Sequence, residues 1–153
     1  MLVKLYFFSI MKKELFKFFY EFRVRYAEVD AQGIVFNAHY LTYFDCAVTE
    51  YYRIIKYNYK EDVKRNKKDF HVIKTIIDYR EPLLFDQIVE AGIRVSKIGN
   101  SSLVYDIALY PKFKKKLLAF GQTIQVYTDQ VKKKSTPLSR NLINKIKKFE
   151  KNI

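Results

Sequence analysis

The sequence predicts an α+β domain in which an antiparallel sheet wraps around one long helix. Three observations predict it. There is a single long amphipathic stretch at about residues 38–58. The alternating apolar segments come after it, one following another. A chain of 153 residues with 49% hydrophobic content is long enough for one core and too apolar for disorder. Segregation of the helix from the run of strands separates α+β from an alternating α/β order.

Residues 16–26 intersperse Phe, Val and Tyr with Lys, Glu and Arg and read as a first strand; Gly33 punctuates the loop after it. In the helical stretch, Tyr40, Phe44, Ala47, Tyr51, Ile54 and Ile55 recur every three or four residues. Thr42, Thr49, Arg53 and Lys56 fall opposite. The charged residues 60–69 read as a loop or a short second helix. Strands are expected at 70–79, 87–97, 102–110 and 117–128, separated by Pro82, Gly99-Asn100 and a lysine-rich turn at 111–116. Pro137 and Ser139 introduce a basic C-terminal helix over 139–151, with Ser139 as its N-cap. One helix cannot cover five strands and their edges, so assembly of the chain with itself is expected.

Composition narrows the chemistry. Thirteen Tyr and thirteen Phe without any Trp suit an aromatic core, or a groove for an acyl or aryl chain. Cys46 is the single cysteine, so no internal disulfide or cysteine-built metal site can form, and His39 and His71 are too few for a metal cluster. A reducing, cytoplasmic setting is expected. Residues 1–10 are apolar but short, Lys4 interrupts them, and Lys12 and Lys13 follow rather than precede them, the wrong order for a secretory signal. Met11 is a second candidate start. No segment has the length of a membrane span. Of the net charge of +13, +7 lies in residues 131–153, where eight Lys or Arg face Glu150 alone. Such a surface attracts nucleic acid, membrane, CoA phosphates or an acidic carrier protein, or reflects a lysine-rich background. No helix-turn-helix or RNA-binding motif is present, which argues against nucleic acid.

Residues 25–40 carry the most chemistry. They read as a strand end, a tight loop with one carboxylate, Asp30, and the start of the long helix. The free N–H groups of a helix start stabilise developing negative charge, because they are unpaired and aligned with the helix dipole. A carboxylate beside them makes a minimal acyl-transfer apparatus. On the residues alone, a loop aspartate capping a turn or the following helix is the better reading of Asp30.

Four segments then follow in order: Asp30, Gly33, Val35 and Tyr40 at the spacing Asp-x-x-Gly-x-Val-x-x-x-x-Tyr; Tyr79-Arg-Glu-Pro82-Leu-Leu-Phe-Asp86; Lys97-Ile-Gly99-Asn-Ser-Ser102; and Asp129 through Lys134 to Pro137. Together, over roughly residues 22–138, they resemble the 4-hydroxybenzoyl-CoA thioesterase family, whose members have the hot-dog fold. The resemblance implies hydrolysis of an acyl- or aryl-CoA, with Asp30 attacking the thioester carbonyl or activating the water that does. An aspartate of ordinary pKa, about 4, is a poor base at neutral pH, which favours direct attack. The backbone N–H of Asn37 falls where the family holds the oxyanion. Gly33, Val35, His39 and Tyr40 are implied around the substrate. Lys97, Ser101 and Ser102 are implied near pantetheine or phosphates, and Lys132, Lys133 and Lys134 near the nucleotide. Another branch of hot-dog thioesterases uses a helix acid, which places Asp45 as an alternative carboxylate. Hot-dog dehydratases use a His, which keeps a second reading for His39. Glu50 is expected to pair with Arg53. The resemblance implies no metal or redox cofactor, with CoA arriving as part of the substrate. It implies a homodimer or homotetramer with the site at the subunit interface. Two other readings remain: a non-catalytic acyl-CoA-binding module whose basic surface meets nucleic acid or membrane, and an enzyme acting on acyl carrier protein.

Overall fold

The computed structural model describes residues 11–151 and 153; the apolar N-terminal segment and the start before Met11 lie outside the described residues. Strand β1 (Phe18–Arg23) leads through a turn and a loop to helix α1 (His39–Ile54). A short helix α2 (Tyr59–Asn66) follows. Then come β2 (Lys68–Tyr79), β3 (Ile88–Ile98), β4 (Ser102–Pro111), β5 (Ala119–Asp129), a two-residue β6 (Lys134–Ser135) and helix α3 (Arg140–Glu150). Every pairing is antiparallel, in the order β1-β3-β4-β5-β2, with β6 added beside β5. The curled sheet packs its inner face on α1, as the resemblance implies.

α1 forms because its apolar residues make one stripe. Tyr40, Tyr43, Phe44, Ala47, Val48, Tyr51 and Tyr52 are all buried, and their spacing of three and four keeps them on one side. Phe44 needs a gap in the sheet to fit, and Gly121 of β5 supplies it. A Cβ built there would strike the Phe44 ring and stand 2.5 Å from the Ile76 carbonyl oxygen. α1 is shorter at its C-terminus than the expected stretch to residue 58. Lys56 turns to a φ of +56°, left-handed backbone that stops the helix, and the charged stretch after it folds into α2. Tyr57 and Tyr127 fasten α2 by donating to Asp62 Oδ2 at 2.5 and 2.6 Å.

The first strand is also shorter than expected, because a 3₁₀ turn at Tyr26–Glu28 takes over its C-terminal end. The sheet gains a sixth strand where β4 stops: Lys134–Ser135 pairs with the last residues of β5. α3 starts at Ser139, whose hydroxyl accepts from the Leu142 N–H at 3.3 Å, an N-cap as expected. It is integral to the core: Leu142 and Ile146 are fully buried, and the Glu150 carboxylate accepts from the Tyr51 hydroxyl at 2.7 Å and the Val95 N–H at 3.0 Å. Phe44, Tyr51 and Tyr105 are among the largest fully buried side chains of this interior, whereas Tyr110 and Phe120 are buried in a second cluster with Phe16 and Ala108. Cys46 is a free thiol on α1. Lys115 and Lys116, which read as plain turn residues, pair with Glu14 and Glu81.

Candidate active site

Asp30 sits in a small hairpin between the 3₁₀ turn and α1. Val29 and Val35 bridge across it; the Asp30 N–H donates to the Ile34 carbonyl at 2.8 Å and the Gly33 N–H to the Asp30 carbonyl at 3.0 Å. Gly33 takes a φ of +77°, a conformation that would strain any side chain, so the tight loop needs glycine there. A further bond ties the hairpin to the sheet: the Val35 N–H donates to the Leu83 carbonyl at 2.9 Å.

The half-buried Asp30 carboxylate caps its own turn with one of its two oxygens. Its Oδ1 accepts from the Gln32 N–H at 2.8 Å, a turn-capping bond, while Oδ2 has no protein partner among the described residues. One oxygen fixes the rotamer and the other is left unengaged.

The start of α1 lies on the same groove. Its first turn is tight, with the His39 N–H donating to the Phe36 carbonyl at 3.0 Å and the Tyr40 N–H to the Asn37 carbonyl at 3.3 Å. The N–H groups of Asn37 and Ala38 have no acceptor among the described residues. These unpaired donors stand at the positive end of the helix dipole. Asp30, Phe36, Asn37, Tyr40, Tyr79 and Pro82 line the groove, which has a volume of about 500 Å³. Its walls are aromatic: Tyr79 meets Tyr40 edge-on at 4.9 Å. Tyr40 is held in place by the Leu83 N–H, which donates to its hydroxyl oxygen at 3.3 Å, and burial raises its pKa. Such a groove can hold an apolar acyl group beside a carboxylate and the free Asn37 N–H.

Several expected site residues lie elsewhere. Val35 is buried and borders the groove, whereas Gly33 is exposed and shapes the loop. His39 turns its ring edge-on to Phe36 at 6.3 Å and does not line the groove. Asp45 is on the exposed side of α1, away from the groove, and partial burial of its carboxyl raises its pKa. Glu50 pairs with Arg53 as expected. Lys97, Ser101 and Ser102 lie toward the same end of the sheet as Lys132, Lys133 and Lys134. The Tyr127 N–H donates to the Ser101 carbonyl at 2.7 Å, and the Leu138 N–H to the Asn100 carbonyl at 2.9 Å. This assembly is at the far end of the sheet. Tyr79, on the groove, pairs with Ala119 at the start of β5, whereas Ser102 pairs with Val126 near its end. The strand rise puts the two ends roughly 25 Å apart. Within one chain these residues do not reach the groove.

One residue of this region has no place in the sequence reading. Glu28 is buried behind the hairpin, bonded to Arg25 and Tyr43. Burial pushes its carboxyl up, but the Arg25 and Tyr43 bonds outweigh it and leave the pKa below its ordinary value. The Arg25-x-x-Glu28 spacing was the available signal, and it looks like any surface ion pair.

Residues 32–114 match the thioesterase superfamily. The chain belongs to that family. Thioester hydrolysis is the class of reaction that comes with it. The acyl-CoA thioesterase YbgC of Haemophilus influenzae is 30% identical over 90 residues, covering 58% of this chain and 65% of that protein, so the match spans just under two thirds of that relative. The acyl-CoA thioester hydrolase YbgC of Escherichia coli O6:H1 is 25% identical over 125 residues, covering 82% of this chain and 92% of that one. The crystal structure of the PA5185 protein from Pseudomonas aeruginosa superposes with a TM-score of 0.79 at 26% identity, covering 88% of this chain and 92% of that one. No helix among the described residues is long and apolar enough to cross a membrane. No group of three or more potential metal ligands occurs among them.

Proposed function

We propose that this superfamily member hydrolyses an acyl- or aryl-CoA, R–CO–S–CoA, to the free acid and CoA at the Asp30 groove. The observation that carries the reading is the pairing on one largely apolar groove of an unengaged carboxylate oxygen with the unpaired Asn37 N–H, the unpaired Ala38 N–H being next along the chain. In direct attack, Asp30 Oδ2 adds to the thioester carbonyl, whose oxygen takes the charge and the N–H donors. Collapse breaks the C–S bond, releases CoA thiolate and leaves a mixed anhydride. Water then cleaves the anhydride, regenerating Asp30 and giving the acid, and the thiolate takes a proton from solvent. As a base, Asp30 would instead take the proton of an attacking water. Thiolate is a good leaving group, so no metal or redox cofactor is required by either route.

The reading includes a homodimer with the site between subunits. β2 is a sheet edge twelve residues long, and it exposes Val72 and Ile73, 50% and 63% accessible, at the bulge between Val72 and Lys74. An exposed apolar edge is a template for a second strand. The opposite edge, β1, is half as long and carries Glu21 and Arg23. A twofold pairing of β2 edges runs the two chains in opposite directions. The groove end of one then stands beside the basic end of the other, with its Lys97, Ser101, Ser102 and Lys132–134. That arrangement adds phosphate-binding cations to a groove whose own cation, Arg80, is already paired with Asp78. A CoA substrate also fits a cytoplasmic location.

Thiol release from short, long and aromatic acyl-CoAs tests the function, with wild type and Asp30→Asn side by side. The expected result is wild-type turnover that falls at least about a hundredfold in the variant. Turnover that survives Asp30→Asn but is lost in Asp45→Asn moves the chemistry to the helix. Tight acyl-CoA binding without turnover by wild type makes the chain a binding module.

A further inference from the structure

Three carboxylates are buried among the described residues. Asp106 is held on the outer sheet face by Arg94, Ser96 and Gln122, and Glu150 fastens α3 to Tyr51 and Val95. The third, Glu28, is 3% accessible and lies two residues before Asp30. Its Oε2 accepts from the Arg25 N–H and from the Tyr43 hydroxyl, each at 2.8 Å. Its Oε1 accepts from Arg25 Nε at 2.8 Å and Nη2 at 2.5 Å. Its own carbonyl accepts from the Phe36 N–H at 2.9 Å, the residue just before Asn37. One residue thus holds three things at once: the strand leading in, the second turn of α1, and the neck of the hairpin where the chain turns into the helix.

A hairpin neck could be filled by an apolar side chain of similar volume at no loss of stability, since burying a carboxylate is costly even when paired. What a fully bonded carboxylate adds is a single geometry. The elements it fixes relative to each other are the loop bearing Asp30 and the helix start bearing the free N–H groups. We propose that Glu28 is a positioning residue for the hydrolysis, setting the Asn37 N–H against the Asp30 carboxylate by binding Arg25, Tyr43 and Phe36 together. This rests on the roles given to Asp30 and Asn37 above.

The test compares Glu28→Leu, Glu28→Gln and Tyr43→Phe with wild type by steady-state kinetics, melting temperature and amide hydrogen exchange. Leu fills the space, but its side chain accepts nothing from Arg25 or Tyr43, and the Phe36 N–H is left with a backbone carbonyl that nothing else anchors. In folded Glu28→Leu, kcat falls at least about thirtyfold with KM within about threefold, because misplaced groups lose transition-state contacts more than substrate contacts. Gln retains an acceptor for Arg25 and a polar contact for Tyr43, and restores kcat to within roughly fivefold of wild type. The Phe36 and Asp30 amides exchange at least about tenfold faster in Glu28→Leu, while those of Tyr51 and Tyr52 keep their protection. A structural role alone would lower the melting temperature and leave kcat per folded molecule, and local exchange at Phe36, unchanged; that result overturns the proposal. Should Glu28→Leu fail to fold, Tyr43→Phe cuts only the tie to α1 and decides the question: a drop in kcat at constant KM supports it, and wild-type kcat refutes it. If wild type hydrolyses no acyl-CoA, the preceding reading of function fails, and exchange at Phe36 in the variants still judges the clamp.

Discussion

Replacing Asn37 by proline removes one backbone N–H and nothing that the fold uses. The Asn37 N–H has no acceptor among the described residues, whereas the first two amides of the helix itself, His39 and Tyr40, are already spent on the Phe36 and Asn37 carbonyls. The substitution therefore breaks no intramolecular hydrogen bond, and proline is well tolerated around a helix start. If this N–H holds the oxyanion, its loss is felt in the transition state. Deleting one such donor lowers kcat by about a hundredfold to a thousandfold. The Ala38 N–H remains as a neighbour, so the lower figure, about a hundredfold or ~2.7 kcal/mol, is expected here. Asn37→Ala is the matched control, since it removes the side chain and keeps the N–H; its kcat is expected within roughly threefold of wild type. Both variants are assayed for thiol release at saturating acyl-CoA, with melting temperatures taken in parallel. The reasoning is refuted if the alanine variant loses as much as the proline variant, or if the proline variant, still folded, turns over like wild type.

Gly121→Ala drives a methyl group into the Phe44 ring and the Ile76 carbonyl, so it is expected to cost about 1 to 3 kcal/mol and lower the melting temperature by roughly 3 to 10 °C. An unchanged melting temperature would mean that the ring and strand part easily. Asp62 has its pKa set by burial, which raises it, and by the Tyr127, Tyr57 and Asn66 bonds, which outweigh burial and lower it. A depressed carboxyl pKa stabilises the fold above the unfolded value of about 4, and that stability is lost as pH falls through the folded value. Asp62→Asn should therefore flatten the fall in melting temperature below about pH 4, leaving the part due to Glu28, which has the same sign; parallel curves for variant and wild type would contradict this. Ile73→Lys places a charge on the β2 edge and is expected to convert dimer to monomer on size-exclusion chromatography with light scattering, and to cut kcat/KM for acyl-CoA. A dimer that persists with full activity places the interface elsewhere.

Much of the fold is legible in the sequence, because each element states its period locally. The stripe of Tyr40, Phe44, Ala47 and Tyr51 is helical whatever surrounds it, and the alternation in 87–97 is that of a strand. Asp30, Gly33 and Tyr40 could be placed for the same reason: their spacing spans one loop, and the left-handed backbone at residue 33 needs glycine locally. The ends of elements were less legible. Where α1 stops depends on a left-handed Lys56, which no glycine marks, and β6 exists only because β5 outruns β4.

What the sequence by itself determined is the α+β class, the long helix, and a loop that sets one carboxylate before a helix start. What only the tertiary structure decided is which residues meet across distance. Glu28 carries no reading of its own until the Tyr43 hydroxyl closes on its carboxylate and the Phe36 amide on its carbonyl. The lysines and serines of the two far turns read as neighbours of Asp30 until strand register puts them at the other end of the same chain's sheet. The physical reason is range. Backbone preference and periodicity act over a few residues and are written in adjacent letters, whereas burial and register arise only when elements remote in sequence pack together.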